Sequence, residues 1–125
     1  MIQANDLRIG DLVNYHDDDI VFQVTEISKL GIGVKNDTEE TWIEYDRFSP
    51  IKLTPELLEK CGFEMDGSYQ CPLWKNIKGF EFWDEYGTGA YSYRFMNSFD
   101  VELKYLHQIQ NLYFTITGSE LEVIW

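Results

Sequence analysis

From Tyr105 to Thr117 the chain reads YLHQIQNLYFTIT, with no Asp, Glu, Lys or Arg, although those four types make up 26% of the protein. At 100° per residue, Tyr105, Leu106, Ile109, Leu112, Tyr113 and Ile116 fall within an arc of roughly 120°, the stripe of an amphipathic helix facing a core. The spacing predicts a long helix over 104–117 that ends against Gly118. Propensity alone would not form it: Tyr, Phe, Ile, Thr and Asn each cost roughly half a kcal/mol against Ala. Burying each large apolar side chain contributes about 1.5–3 kcal/mol, so packing decides.

The other side of this helix carries His107, Gln110, Asn111 and Phe114. A solvated back face would hold several charges, and this one holds none. Either the rest of the chain covers it, with amides and imidazole bonding backbone groups at a seam, or a partner or second copy does. These four residues are the candidate seam or interaction face.

A chain of 125 residues with 44% hydrophobic and 16% aromatic content buries enough surface to fold without a staple. Its formal charge is -12, and residues 1–53 and 54–125 each hold five bases and eleven acids. That charge repels phosphate backbones and anionic lipid, so neither direct nucleic-acid binding nor membrane association is expected; a protein partner or self-association is. The start, MIQANDLRIG, has neither a basic n-region nor an apolar h-region, and a cytoplasmic setting follows. Cys61 and Cys71 lack neighbouring histidines for a zinc site and read as small buried side chains.

Taken in order, Leu12–His16, Ile20–Ile27, Gly31–Lys35 and Thr41–Glu44 read as strands. A tight turn over 44–48 and a strand over 49–53 follow, and the set suggests an SH3-like small β-barrel over 1–53. LTPELLEKCGF then spells a short helix over 55–61. Thr54 is its N-cap, Pro55 its first helical position, Glu56 faces the positive dipole end, and Gly62 follows the C-cap. Asp66-Gly67 predicts a hairpin joining 63–65 to 68–71, with Pro72 ending the strand. Further strands are expected at 80–83, 91–96, 99–103 and 119–125. The fold class is therefore α+β: the barrel half, then a 54–125 half with a small antiparallel sheet packed with the long C-terminal helix.

Three stretches, LRIGDLVNY, LTPELLEKCGF and KYLHQIQNLYFTITGSELEV, together resemble a family of small uncharacterised proteins from Bacteroides-type gut bacteria and their phages. Leu12 stands where that family more often has Trp. The resemblance implies a phage or mobile-element setting in the cytoplasm and brings no catalytic residues with it.

The constellations that could carry chemistry are thin. His16 with Asp17, Asp18 and Asp19 lacks the spacing of a calcium loop and reads as a solvated acidic turn. Glu39 with Glu40, and Asp84 with Glu85, read as surface carboxylates in turns. No P-loop, GxSxG, GxGxxG or HExxH is present. No catalytic, metal or cofactor-binding residue is therefore assigned. The aromatics of the second half read as core and cross-strand packing, with Trp74, Trp83 and Tyr86, near strand ends and loops, as the exposed candidates. The functional expectation is a non-enzymatic interaction module. The alternatives are an acidic decoy that occupies a nucleic-acid-binding host protein, and a small-molecule-binding protein or enzyme without a recognisable motif.

Overall fold

A computed structural model describes residues 6–15, 20–68, 72–76, 78–85, 89–95 and 99–125. The chain is α+β, with two antiparallel five-stranded sheets and a C-terminal helix. It divides into two compact units: Met1–Ile51 with Tyr105–Leu112, and Lys52–Lys104 with Tyr113–Trp125. The expected boundary at residue 53 put the whole long helix in the second half, whereas its first two turns cluster with the first unit.

In the first unit, β1 (Leu12–Tyr15), β2 (Val21–Ile27), β3 (Gly31–Lys35), β4 (Glu40–Glu44) and β5 (Phe48–Pro50) lie in the order β4-β3-β2-β1-β5. The period-2 alternation decides which face is inside: Phe22 and Val24 of β2 are buried while Gln23 between them is exposed. Leu7, Val13, Phe22, Val24, Ile32, Val34, Ile43 and Phe48 make one core. Ile43 and Phe48, on the two edge strands, belong to the same core. Two local features shape the sheet. A register shift between Val24 and Glu26 puts a bulge in β2, which sharpens the twist. At Gly31 a Cβ would fall 2.4 Å from the Ile43 carbonyl oxygen, so only glycine lets β3 and β4 run this close. The turn from β4 to β5 is closed by Arg47 N–H donating to Glu44 C=O at 3.0 Å.

In the second unit, α1 (Pro55–Lys60) has the expected caps. The Thr54 hydroxyl accepts from Leu57 N–H at 3.2 Å, Pro55 opens the helix, and Gly62 takes φ +85° just beyond its end. Cys61 is the C-cap rather than a helical residue. A meander follows: β6 (Glu64–Asp66), β7 (Leu73–Lys75), β8 (Glu81–Glu85), β9 (Ala90–Phe95) and β10 (Phe99–Leu103), in the order β10-β9-β8-β7-β6. Its packing is aromatic. Phe82 meets Phe63 and Tyr91 edge-on at 5.1 and 5.7 Å, and Phe80 stacks on Tyr93 at 5.1 Å.

Beyond Ser68 the strand expected over 68–71 lies outside the described residues. The described partner of β6 is β7, which starts after Pro72. The Asp66 carboxylate accepts from the Ser68 N–H at 2.9 Å and from the Ser68 hydroxyl, an Asx turn at the end of β6. No strand forms over 119–125, where Ile124 N–H makes one bond to Lys60 C=O at 2.8 Å.

The long helix α2 (Leu106–Thr117) starts two residues later than its spacing predicted. Leu106 N–H donates to Ile51 C=O at 2.8 Å and Tyr105 N–H to the Gln108 side chain at 3.0 Å, which satisfies amides that a longer helix would have left open. Gly118, at φ +73°, ends it. Among the described residues no helix is long and apolar enough to cross a membrane.

Candidate functional site

The uncharged face of α2 has its work inside the first unit. Gln110 is 2% exposed; its Oε1 accepts from Leu12 N–H at 2.8 Å and its Nε2 donates to Gly10 C=O at 3.3 Å. Asn111 Nδ2 donates to Asp6 C=O at 3.1 Å. One turn of helix thus holds the segment leading into β1 by its backbone, which is what a primary amide with both a donor and an acceptor does well. His107 is also buried, stacked on Tyr105 with ring centres 5.9 Å apart, and its Nδ1 has no hydrogen-bond partner. Burial pulls its pKa below the ordinary value, and the nearby Asp6 pulls the other way. Phe114, in the second unit, is 38% exposed. The sequence-derived set of four therefore separates into three residues committed to the chain's own backbone and core, and one at the surface.

The aromatic candidates separate as well. Trp74 is buried and not exposed. It sits in the middle of β7, between Met65 of β6 and Phe82 of β8, where the sequence reading had a loop after Pro72. Trp83 is half-buried on β8. Tyr86, like His16, Asp17, Asp18, Asp19 and Cys71, lies outside the described residues. Cys61 is buried, and burial pushes its thiol up to about 12, so it stays a protonated, unreactive side chain.

The sequence reading missed a concavity in the first unit. A groove of about 350 Å³ is lined by Tyr15, Ile20, Phe22, Glu39, Arg47 and the run Thr41–Glu44. Four consecutive strand residues on one wall mean that the groove follows the side of β4 instead of crossing the sheet face. Two of its apolar residues are open to solvent, Trp42 at 46% and Ile20 at 47% exposure, while Phe22 and Ile43 are buried. Over 37–47 the chain carries five carboxylates, Asp37, Glu39, Glu40, Glu44 and Asp46, against Arg47 as the single base. Trp42 is the signal that could have pointed here: an aromatic between Glu40 and Glu44 on the polar phase of a strand has no core to enter.

Chemically this wall offers an indole face, carboxylates and strand backbone. Among the described residues, no three His, Cys, Asp or Glu side chains are placed to hold a metal ion. No protein-family model matches the chain, and comparison with curated proteins and with solved structures finds no match.

Proposed function

We propose that this chain is a non-enzymatic, cytoplasmic protein-interaction module whose docking surface is the groove beside β4, on a first unit of SH3-like barrel type. The observation that carries the reading is the exposed Trp42 and Ile20 in a concavity rimmed by Glu39 and Glu44. Buried aromatic anchors dominate protein interfaces, and a large indole half open to solvent in a groove is such an anchor awaiting its cover. The barrel reading draws on the five-stranded order and on Ile43 and Phe48 of opposite edges belonging to one core. The phage or mobile-element setting draws on the resemblance of the three motifs.

A second reading has its own observation. The charge of -12 suits an acidic decoy that occupies the basic surface of a nucleic-acid-binding host protein. A tagged pull-down from the native host, eluted in steps of salt and run alongside Trp42→Ala, separates the two. A module holds its partner past about 0.5 M salt, where screening reaches within roughly 4 Å, and loses it in Trp42→Ala. A decoy releases its partner at the same low salt step from both proteins. If neither protein holds anything, the module reading falls.

A further inference from the structure

Resting on the interaction reading above, we infer that β4 is a docking edge that takes an extended, lysine- or arginine-bearing segment of a partner protein as an added strand.

β4 ends the strand order, so among the described residues nothing pairs with its outer side. The phase of the ladder follows from one bond. Asn36 N–H donates to Glu39 C=O at 2.9 Å, which makes that pair a hydrogen-bonded one, and the register continues without a shift from Lys35↔Glu40 to Gly31↔Glu44. Counting in twos, Thr41 and Ile43 exchange bonds with β3, while Glu40 and Trp42 direct their N–H and C=O groups outward. The Glu44 carbonyl is already used by Arg47 N–H. The groove supplies the space beside this row of donors and acceptors, since Thr41 to Glu44 form its wall.

Side-chain alternation then specifies the visitor. Ile43 is buried, so Glu40, Trp42 and Glu44 share the opposite, solvent-facing side of β4. A strand added in register places its own alternate residues against acid, indole, acid. Lys or Arg four residues apart with a β-branched residue midway complements that row. A second copy of this chain is the wrong occupant: antiparallel pairing of two β4 edges centred on Trp42 sets Glu40 against Glu44 twice, four carboxylates in like-charged pairs. Acidic edge residues commonly guard a strand against self-pairing, and here the same charges select a basic visitor. Lys35, opposite Glu40 on the β3 side, and Arg47 offset only part of the five carboxylates.

The test uses the full chain and a fluorescein-labelled peptide with the core KTVTK, read by anisotropy at about 0.15 M salt. Three probes accompany it: the same peptide with every amide N-methylated, its ETVTE counterpart, and KTVTK against Glu40→Lys/Glu44→Lys, with Glu40→Gln/Glu44→Gln as a milder variant should the reversal fail to fold. The edge assignment expects saturable binding of KTVTK, weakened at least about tenfold by N-methylation, by the acidic swap and by the reversal, and several-fold by the Gln variant. N-methylated peptide binding as well as the parent overturns it, because backbone pairing is then irrelevant. So does equal binding to wild type and the charge variants, or no binding of KTVTK. If KTVTK fails while Trp42→Ala still loses the salt-resistant host partner, the edge assignment falls and the groove reading stands.

Discussion

Gln110 of α2 grips the entry to β1: its Oε1 lies 2.8 Å from the Leu12 amide nitrogen and its Nε2 3.3 Å from the Gly10 carbonyl oxygen, 98 and 100 residues away in sequence. Both bonds are made by a side chain with almost no access to water. Gln110→Ala leaves a buried donor and acceptor without partners, and about 1–3 kcal/mol of stability is expected to go with them. The urea midpoint should fall accordingly; a midpoint unchanged from wild type would remove this side chain from the account of the first unit.

His107, one turn earlier, makes stability depend on pH. Its folded-state pKa lies below the ordinary 6.5, chiefly through burial and against the pull of Asp6. The unfolded chain therefore binds the proton more readily, so the contribution is fully present above 6.5 and is lost as pH falls from there toward the folded pKa. Unfolding free energy should decline as pH falls below 6.5, ahead of the carboxylates. In His107→Phe, which keeps a ring against Tyr105, the curve should be flat over that window. Equal slopes in both proteins would rule out the histidine as its source.

Gly31 is where β3 meets β4 too closely for any side chain. A methyl there would press on the Ile43 carbonyl oxygen, which is backbone and cannot swing away. Gly31→Ala should cost about 1–3 kcal/mol. Gly33→Ala should cost less, since a Cβ there meets mainly side-chain atoms of Glu26 and Thr25, no nearer than 3.1 Å. Thermal unfolding of the pair reads the difference, and an equal loss in both would mean that close strand approach is not what Gly31 serves.

Much of this was written in local chemistry. Thr54, Pro55 and Gly62 mark α1 because caps act on the nearest backbone groups. The strands of the first unit follow from β-branched residues at period 2. The absence of charge over 105–117 marks a helix whose first two turns are covered on their polar side, although Phe114 and Ile116 in its last turns are exposed. What is not local was harder to read. Leu73–Lys75 became a strand because β6 and β8 flank it, a tertiary fact that the proline before it concealed, and Trp74 was buried with it. The partners of Gln110 and Asn111 lie about a hundred residues upstream, beyond the reach of spacing arguments. The groove was missed because its lining comes from several separate segments of the chain. Glu39 was legible as a surface carboxylate, but not as part of a groove beside Trp42.

Thr54→Ala tests the clearest of the local signals. The hydroxyl accepts from Leu57 N–H across a single turn, and its loss should cost about 1 kcal/mol. Thr54→Ser should recover most of that by thermal unfolding. A serine variant as weak as the alanine would show that the methyl group, not the cap, carries the effect.

The central claim is that the β4 groove is where a protein partner docks, and Trp42 carries it. The direct measurement is salt-stepped elution of host proteins from immobilised wild type and from Trp42→Ala, after thermal unfolding has shown the variant folded. The account predicts a partner retained by wild type beyond about 0.5 M salt and absent from Trp42→Ala. The same partner leaving both proteins at the same low salt step would contradict it and favour charge alone.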